Sequence, residues 1–200
     1  MKEIDVKQIE DAIASMAGQI ACEYHPDILQ AICDSAKSET NKRAIVAMKM
    51  LDNAQIAKQE RIPICQDTGL MIVWLHIGQD VHLFGGSIKK AVDRGVSRGY
   101  TENYLRASSV NDPLFARQNT KDNTPAILYT DMIDGESIIV EVMAKGFGSE
   151  NKSCLTMLTP ADGVEGVKNF VIETVKKAGP NACPPFIIGV GIGGLKCVQK

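Results

Sequence analysis

Two apolar runs, Ala126 to Ile133 and Ser137 to Met143, flank Asp134-Gly135, and no other stretch constrains the fold as much. Asp-Gly between β-prone runs is the strongest short-range hairpin signal in the chain, because the favoured two-residue turn needs positive φ at both central positions. The two runs are therefore expected to pair antiparallel. Upstream, Leu70 to Ile77 reads as a buried strand, Gly78-Gln79-Asp80 as a turn and Val81 to Phe84 as a second short strand. Before these, Ile9, Ile13, Met16, Ala17 and Ile20 recur at helical spacing between Val6 and Cys22, and two further helical patterns follow Pro26 and Thr40. Gly85-Gly86-Ser87 opens another helix, carrying Ile88, Ala91, Val92 and Val96, with an irregularity expected at Gly99 towards Tyr104-Leu105-Arg106. Asn111 to Pro125 is polar and reads as a long ordered loop. Val164, Val167, Phe170, Val171, Thr174 and Val175 mark an amphipathic helix that stops at Gly179-Pro180, and a last apolar strand follows over Phe186 to Ile192.

These elements predict an α+β class: one domain over residues 1–200, with a helical N-terminal layer at about 6–60 and an α+β part at about 61–194. The sheet is expected to be mostly antiparallel, with one long C-terminal amphipathic helix. A chain of 200 residues buries enough core to fold without disulfide or metal staples, so stability does not account for its six cysteines. Their spacing is not that of a disulfide scaffold, and Met1-Lys2-Glu3-Ile4-Asp5 is no signal peptide, so a reduced, cytoplasmic chain is expected. Phe186 to Ile192 is too short to span a bilayer, and no membrane role is indicated. A formal charge of −2, with both signs interspersed, leaves no footprint for nucleic acid. The last strand needs something to pack against, and the residues after Gly194 are too few for a crossover helix. A further segment or another subunit is expected to complete the molecule.

Ile62-Pro63-Ile64-Cys65-Gln66-Asp67-Thr68-Gly69 sets a thiol, an amide, a carboxylate and a hydroxyl side by side between a proline and a glycine. Such crowding suits a rigid catalytic loop. The same residues also allow Cys65 as a small buried group and Asp67 and Thr68 as turn formers. Arg106 is either a surface charge near a helix end or a planar fork for a carboxylate. Gly189-Val190-Gly191-Ile192-Gly193-Gly194 matches a dinucleotide fingerprint, yet the helix and acidic residue that fingerprint needs have no chain left to supply them. Gly146 to Ser153 falls one glycine short of a P-loop, with Asn151 in its place, and leaves a predicted hairpin. It reads better as a loop whose bare Gly148 backbone approaches a small ligand. Cys65, two residues after Pro63, and Cys183, directly before Pro184, form no local metal knuckle. Cys22 and Cys33 fall on predicted helices as core residues, and Cys154 follows the glycine-rich loop closely.

Taken in order, Ile62 to Gly69, Tyr104-Leu105-Arg106, Asn119 to Ala126, Ala144 to Ser153 and Gly179 to Pro185 resemble the iron-sulfur hydro-lyases. The chain is similar to the alpha subunit, or N-terminal region, of class I fumarate hydratases, with the L(+)-tartrate dehydratase alpha subunit as a near neighbour. The resemblance implies a [4Fe-4S] cluster held by three cysteines, of which Cys65 and Cys183 match two. The third lies beyond the end of this chain, and the surroundings of Cys197 depart from the family pattern. The resemblance further implies Gln66, Asp67, Arg106 and Gly148 at the substrate, with Asp67 in proton transfer and Arg106 on a carboxylate. The implied reaction interconverts fumarate and (S)-malate, preferred over tartrate because Lys145 to Asn151 and the loop at Lys121-Asp122-Asn123 look closer to the fumarase branch. A beta-type subunit or domain, an oligomer and a dicarboxylate substrate are the implied partners. Without that partner and the missing segment the polypeptide is expected to be inactive, and the alternative is a truncated, non-catalytic assembly subunit.

Overall fold

The computed structural model describes residues 1–38, 42–183 and 185–193. The chain divides into two compact units, residues 1–145 and the residues from Gly146 onward.

The first unit begins with a short strand, β1 (Lys2–Asp5), and three helices, α1 (Val6–Cys22), α2 (Pro26–Ser38) and α3 (Lys42–Glu60). Asp5 caps α1, its carboxylate accepting from the Lys7 amide at 2.8 Å, which satisfies one of the orphan donors of the first turn. Strands β2 (Leu70–Gly78) and β3 (Val81–Phe84) follow, then α4 (Ile88–Glu102), capped by Ser87. Two short strands, β4 (Val110–Asn111) and β5 (Gln118–Asn119), pair antiparallel inside the segment read as a loop. Strands β6 (Ile127–Ile133) and β7 (Ile138–Lys145) complete the unit.

The expected β6–β7 hairpin does not form. Strand order is β6-β2-β7, so β2 lies between the two runs, pairing parallel with β6 and antiparallel with β7. The sheet is thus mixed where a mostly antiparallel one was expected. Helix α4 supplies the crossover that a parallel β2–β6 pair requires. The connection through Asp134-Gly135 then arches over the end of β2, spanning two interstrand spacings, roughly 10 Å. That arch rests on Gly78, whose amide donates to the Ser137 carbonyl at 2.8 Å. A Cβ at position 78 would sit 2.3 Å from the Gly135 carbonyl oxygen, so only glycine fits there. The Asp-Gly pair does turn the chain, with Gly135 at φ 91°, but around a strand rather than onto its neighbour.

Alternation along β2 explains why it takes the centre. Met71, Val73 and Leu75 are fully buried on one face, against Ile9, Ile13 and Ala17 of α1 and Val92, Val96 and Tyr100 of α4. Helices α1 and α4 approach closely because Gly95 and Gly99 present no side chains: a Cβ at Gly99 would lie 2.6 Å from that of Ala17. Glu10, buried in this seam, accepts from Arg94 Nε at 2.6 Å and Arg98 Nη1 at 3.1 Å. The β1 strand, absent from the sequence reading, pairs parallel with β3.

The second unit holds a four-residue helix, α5 (Phe147–Glu150), and α6 (Gly163–Ala178), the expected amphipathic helix, followed by a 3-10 turn over Gly179–Ala182. Residues 185–193 form no strand, against expectation; Ile187 and Ile192 are exposed, and among the described residues no ladder partner runs beside them. Gly194 and Cys197 lie outside the described residues. Cys22 is buried as read, whereas Cys33 is only half-buried and Cys154 is exposed. Among the described residues no helix is long and apolar enough to cross a membrane.

Candidate functional site

The loop between α3 and β2 is fastened at both ends. Just before Cys65, the Ile64 amide donates to the Ala21 carbonyl of α1 at 2.8 Å, and the Ile64 carbonyl accepts from Asn53 Nδ2 of α3 at 2.9 Å. At the far end Thr68 and Gly69 are buried, and the Tyr100 hydroxyl lies 2.8 Å from the Thr68 carbonyl oxygen and 2.9 Å from that of Gly69. Gly69 has φ 72°, and a Cβ there would meet the Lys145 backbone at 2.7 Å, so the glycine that closes the motif is required sterically. Between these anchors Cys65 and Gln66 are exposed and Asp67 is half-buried. The reading of Cys65 as a buried apolar group is thereby excluded. Asp67 does form the turn that was the alternative: its Oδ1 accepts from the Gly69 amide at 3.1 Å, fixing the carboxylate relative to the loop.

The segment around Arg106 is held as firmly. Leu105 is buried and donates its amide to the Tyr100 carbonyl at 2.9 Å. Thr68 Oγ1 donates to the Arg106 carbonyl at 3.0 Å, joining the two loops directly. The Ala107 carbonyl accepts from Asn119 Nδ2 at 2.9 Å. An exposed guanidinium thus rises from a backbone with little freedom, beside the residues that carry Asp67.

Burial pushes the Tyr100 phenol up to about 12; the Asn123 amide pulls against it and the Asp67 carboxylate adds to it. Tyr100 is therefore a neutral hydroxyl at physiological pH. Burial, with the Cys65 thiol second, also raises the Tyr24 phenol. Asp122 lies low despite burial, because the Thr124 hydroxyl and amide donate to it.

In the second unit, Gly148 and Cys183 adjoin. A Cβ added at Gly148 would contact Cys183 Sγ and the Asn181 carbonyl oxygen, each at 3.7 Å. Cys183 is exposed and sits at φ 57°, a left-handed conformation uncommon for cysteine and found more often at functional positions. The glycine-rich loop opens only the four-residue α5 after an antiparallel strand, which is not P-loop geometry.

Of the residues singled out, Cys65, Gln66, Asp67 and Arg106 belong to the first unit and Gly148 and Cys183 to the second. Among the described residues no group of three or more His, Cys, Asp or Glu side chains is placed to hold a metal ion. The donor chemistry of Cys65 and Cys183 nonetheless fits an iron-sulfur group: each is an exposed thiol on a constrained turn, and thiolates are the ligands such clusters take. Sequence reasoning missed Asn123, Tyr100 and Thr68 as the frame of the site. Only the density of Asn, Asp, Thr and Pro over Asn119 to Pro125 hinted at a built turn.

The fumarate hydratase (Fumerase) family model matches residues 10–198. The chain belongs to that family. It is 36% identical over 210 residues to the putative L(+)-tartrate dehydratase subunit alpha of Methanocaldococcus jannaschii, covering 96% of this chain and 71% of the relative. It is 39% identical over 171 residues to the aerobic class I fumarate hydratase of Escherichia coli K12, covering 84% of this chain but 30% of that enzyme. The L(+)-tartrate dehydratase subunit alpha of E. coli UTI89 is 28% identical over 96% of this chain and 64% of its own length. This member of the family thus spans only part of the relatives it matches.

Proposed function

We propose that this chain is the alpha-type part of a hydro-lyase that interconverts fumarate and (S)-malate. The observation that carries the reading is the hydrogen bond from Thr68 Oγ1 to the Arg106 carbonyl, which joins the loop carrying Asp67 and the exposed Cys65 to the loop carrying Arg106. Hydration adds the hydroxyl of water to one carbon of the double bond and a proton to its neighbour. Asp67, whose carboxylate is oriented by the Gly69 amide, is the group that gives or takes that proton. Arg106 offers a planar fork that binds a carboxylate in two places and holds the dicarboxylate in register with Asp67. Gln66 orients the substrate by hydrogen bonding, and the Gly148 backbone lines the pocket.

Cys65 and Cys183 would hold a [4Fe-4S] cluster, with a further ligand from elsewhere. When bound, such a group supplies a Lewis-acidic iron that makes C–O cleavage feasible at neutral pH. Two of the relatives are named as alpha subunits, which supports a beta-type partner that completes the site.

Fumarate is favoured because identity to the E. coli class I fumarate hydratase is 39% against 28% to the E. coli tartrate dehydratase subunit alpha. The second reading, a tartrate dehydratase subunit, draws on the 36% identity, over 96% of this chain, to the putative L(+)-tartrate dehydratase subunit alpha of Methanocaldococcus jannaschii. The chain and a beta-type partner, reconstituted anaerobically with iron and sulfide, should convert fumarate to malate faster than they dehydrate L(+)-tartrate. The reverse preference selects the second reading. No turnover of either acid, with cluster absorbance present, defeats both and leaves an assembly subunit.

A further inference from the structure

Asn123 is completely buried, at 0% exposure, and its backbone is left-handed at φ 61°. Its Oδ1 accepts from the Ser108 amide at 2.9 Å, the Ser109 amide at 3.1 Å and the Ser109 hydroxyl at 3.0 Å. Its Nδ2 donates to the Gly69 carbonyl at 2.8 Å. This amide therefore grips two separate loops. Gly69 lies two residues after Asp67, and Ser108 lies two residues after Arg106. The Thr68–Arg106 hydrogen bond crosses the same gap, and Tyr100 supports the Gly69 side from α4.

From this network we infer that Asn123 is a positioning residue, whose amide sets the spacing between the Asp67 carboxylate and the Arg106 guanidinium. The inference rests on reading these two groups as the dicarboxylate site. Asparagine meets three demands together: an acceptor for clustered N–H groups, a donor for a carbonyl on the opposite side, and tolerance of positive φ. Aspartate keeps the acceptor but sets a carboxylate oxygen against the Gly69 carbonyl unless it is protonated. Glycine keeps the backbone but loses every side-chain tie. Neither residue touches substrate through position 123, so any effect on substrate is transmitted through the two loops.

The test compares Asn123→Gly and Asn123→Asp with the wild-type chain by hydrogen exchange, together with fumarate kinetics of the chain assembled with its beta-type partner. In Asn123→Gly the protection factors at Ser108 and Ser109, whose amides donate to Asn123 Oδ1, should fall about tenfold or more, the equivalent of one lost buried hydrogen bond, while Val73 and Leu75 in β2 keep theirs. In Asn123→Asp the Ser108 and Ser109 amides keep a side-chain oxygen as acceptor and should keep most of their protection, because only the tie to the Gly69 carbonyl is lost. KM for fumarate should rise about tenfold in both variants at pH 8. A uniform loss of protection through β2 and α4 would show a purely structural role and overturn the inference. Loosened loops with an unchanged KM and kcat would overturn it too. If the wild-type assembly turns over neither fumarate nor L(+)-tartrate, the functional reading fails by itself, and the exchange data still decide whether Asn123 ties the two loops.

Discussion

Replacing Gly99 by alanine tests whether the close seam between α1 and α4 sets the position of the site. A Cβ at position 99 would lie 2.6 Å from the Ala17 Cβ and 3.0 Å from the Ala14 carbonyl oxygen. Non-bonded carbons settle at about 3.5–4.0 Å, so α4 must retreat by roughly 1 Å at this crossing. Overpacking of this kind costs about 1–3 kcal/mol, against which alanine gains about 1 kcal/mol in helix propensity. Tyr100, the next residue, would be carried with the helix. Its hydroxyl contacts at 2.8 and 2.9 Å to the Thr68 and Gly69 carbonyls would stretch beyond hydrogen-bonding range. That adds about 1 kcal/mol, for a net loss of roughly 2 kcal/mol. Denaturant unfolding followed by circular dichroism measures it. Ala17→Gly in the same chain removes the opposing methyl, so the double variant should be more stable than the sum of the single effects by about 1 kcal/mol. A Gly99→Ala chain as stable as wild type, or strict additivity in the double variant, would refute the reasoning.

Glu10→Gln leaves the guanidinium groups of Arg94 and Arg98 without their buried anion and should cost about 2–3 kcal/mol by the same unfolding assay. The Lys7 hydrogen bond, opposed by burial and aided by Arg94, holds the Glu10 carboxyl below its usual 4.5. Its stabilisation is therefore present above the unfolded-state value and lost as pH falls through the lower folded one, and Glu10→Gln should flatten the acid limb of a stability profile. Tyr100 shows the opposite sign. Its contribution is intact below about pH 10 and lost as pH rises through about 12, so Tyr100→Phe should reduce the alkaline sensitivity of unfolding while costing about 1 kcal/mol near neutral pH.

Periodicity made α1 and β2 legible, since α1 buries Ile9, Ile13 and Ala17 at the spacing that announced it and β2 buries Met71, Val73 and Leu75. Topology was not. Asp134-Gly135 carries the local chemistry of a hairpin, but nothing local reports that β2 offers two open edges and a fully apolar inner face, and that advantage decides the strand order. Gly78 held the information, as a glycine where a strand reaches a turn, but the close approach it permits involves residues far along the chain. At the site, the polar residues of the Cys65 loop stood out by crowding, whereas Asn123 and Tyr100 did not. Their importance lies in bonds to backbone carbonyls and amides of other loops, and such bonds leave no mark on spacing or composition.

We propose that the thiols of Cys65 and Cys183 are each required for hydro-lyase activity. Cys65→Ala and Cys183→Ala chains, each assembled with the beta-type partner and reconstituted anaerobically, should both lose the visible iron-sulfur absorbance and malate formation from fumarate, while their far-ultraviolet circular dichroism matches wild type. Undiminished malate formation in either variant would contradict the account.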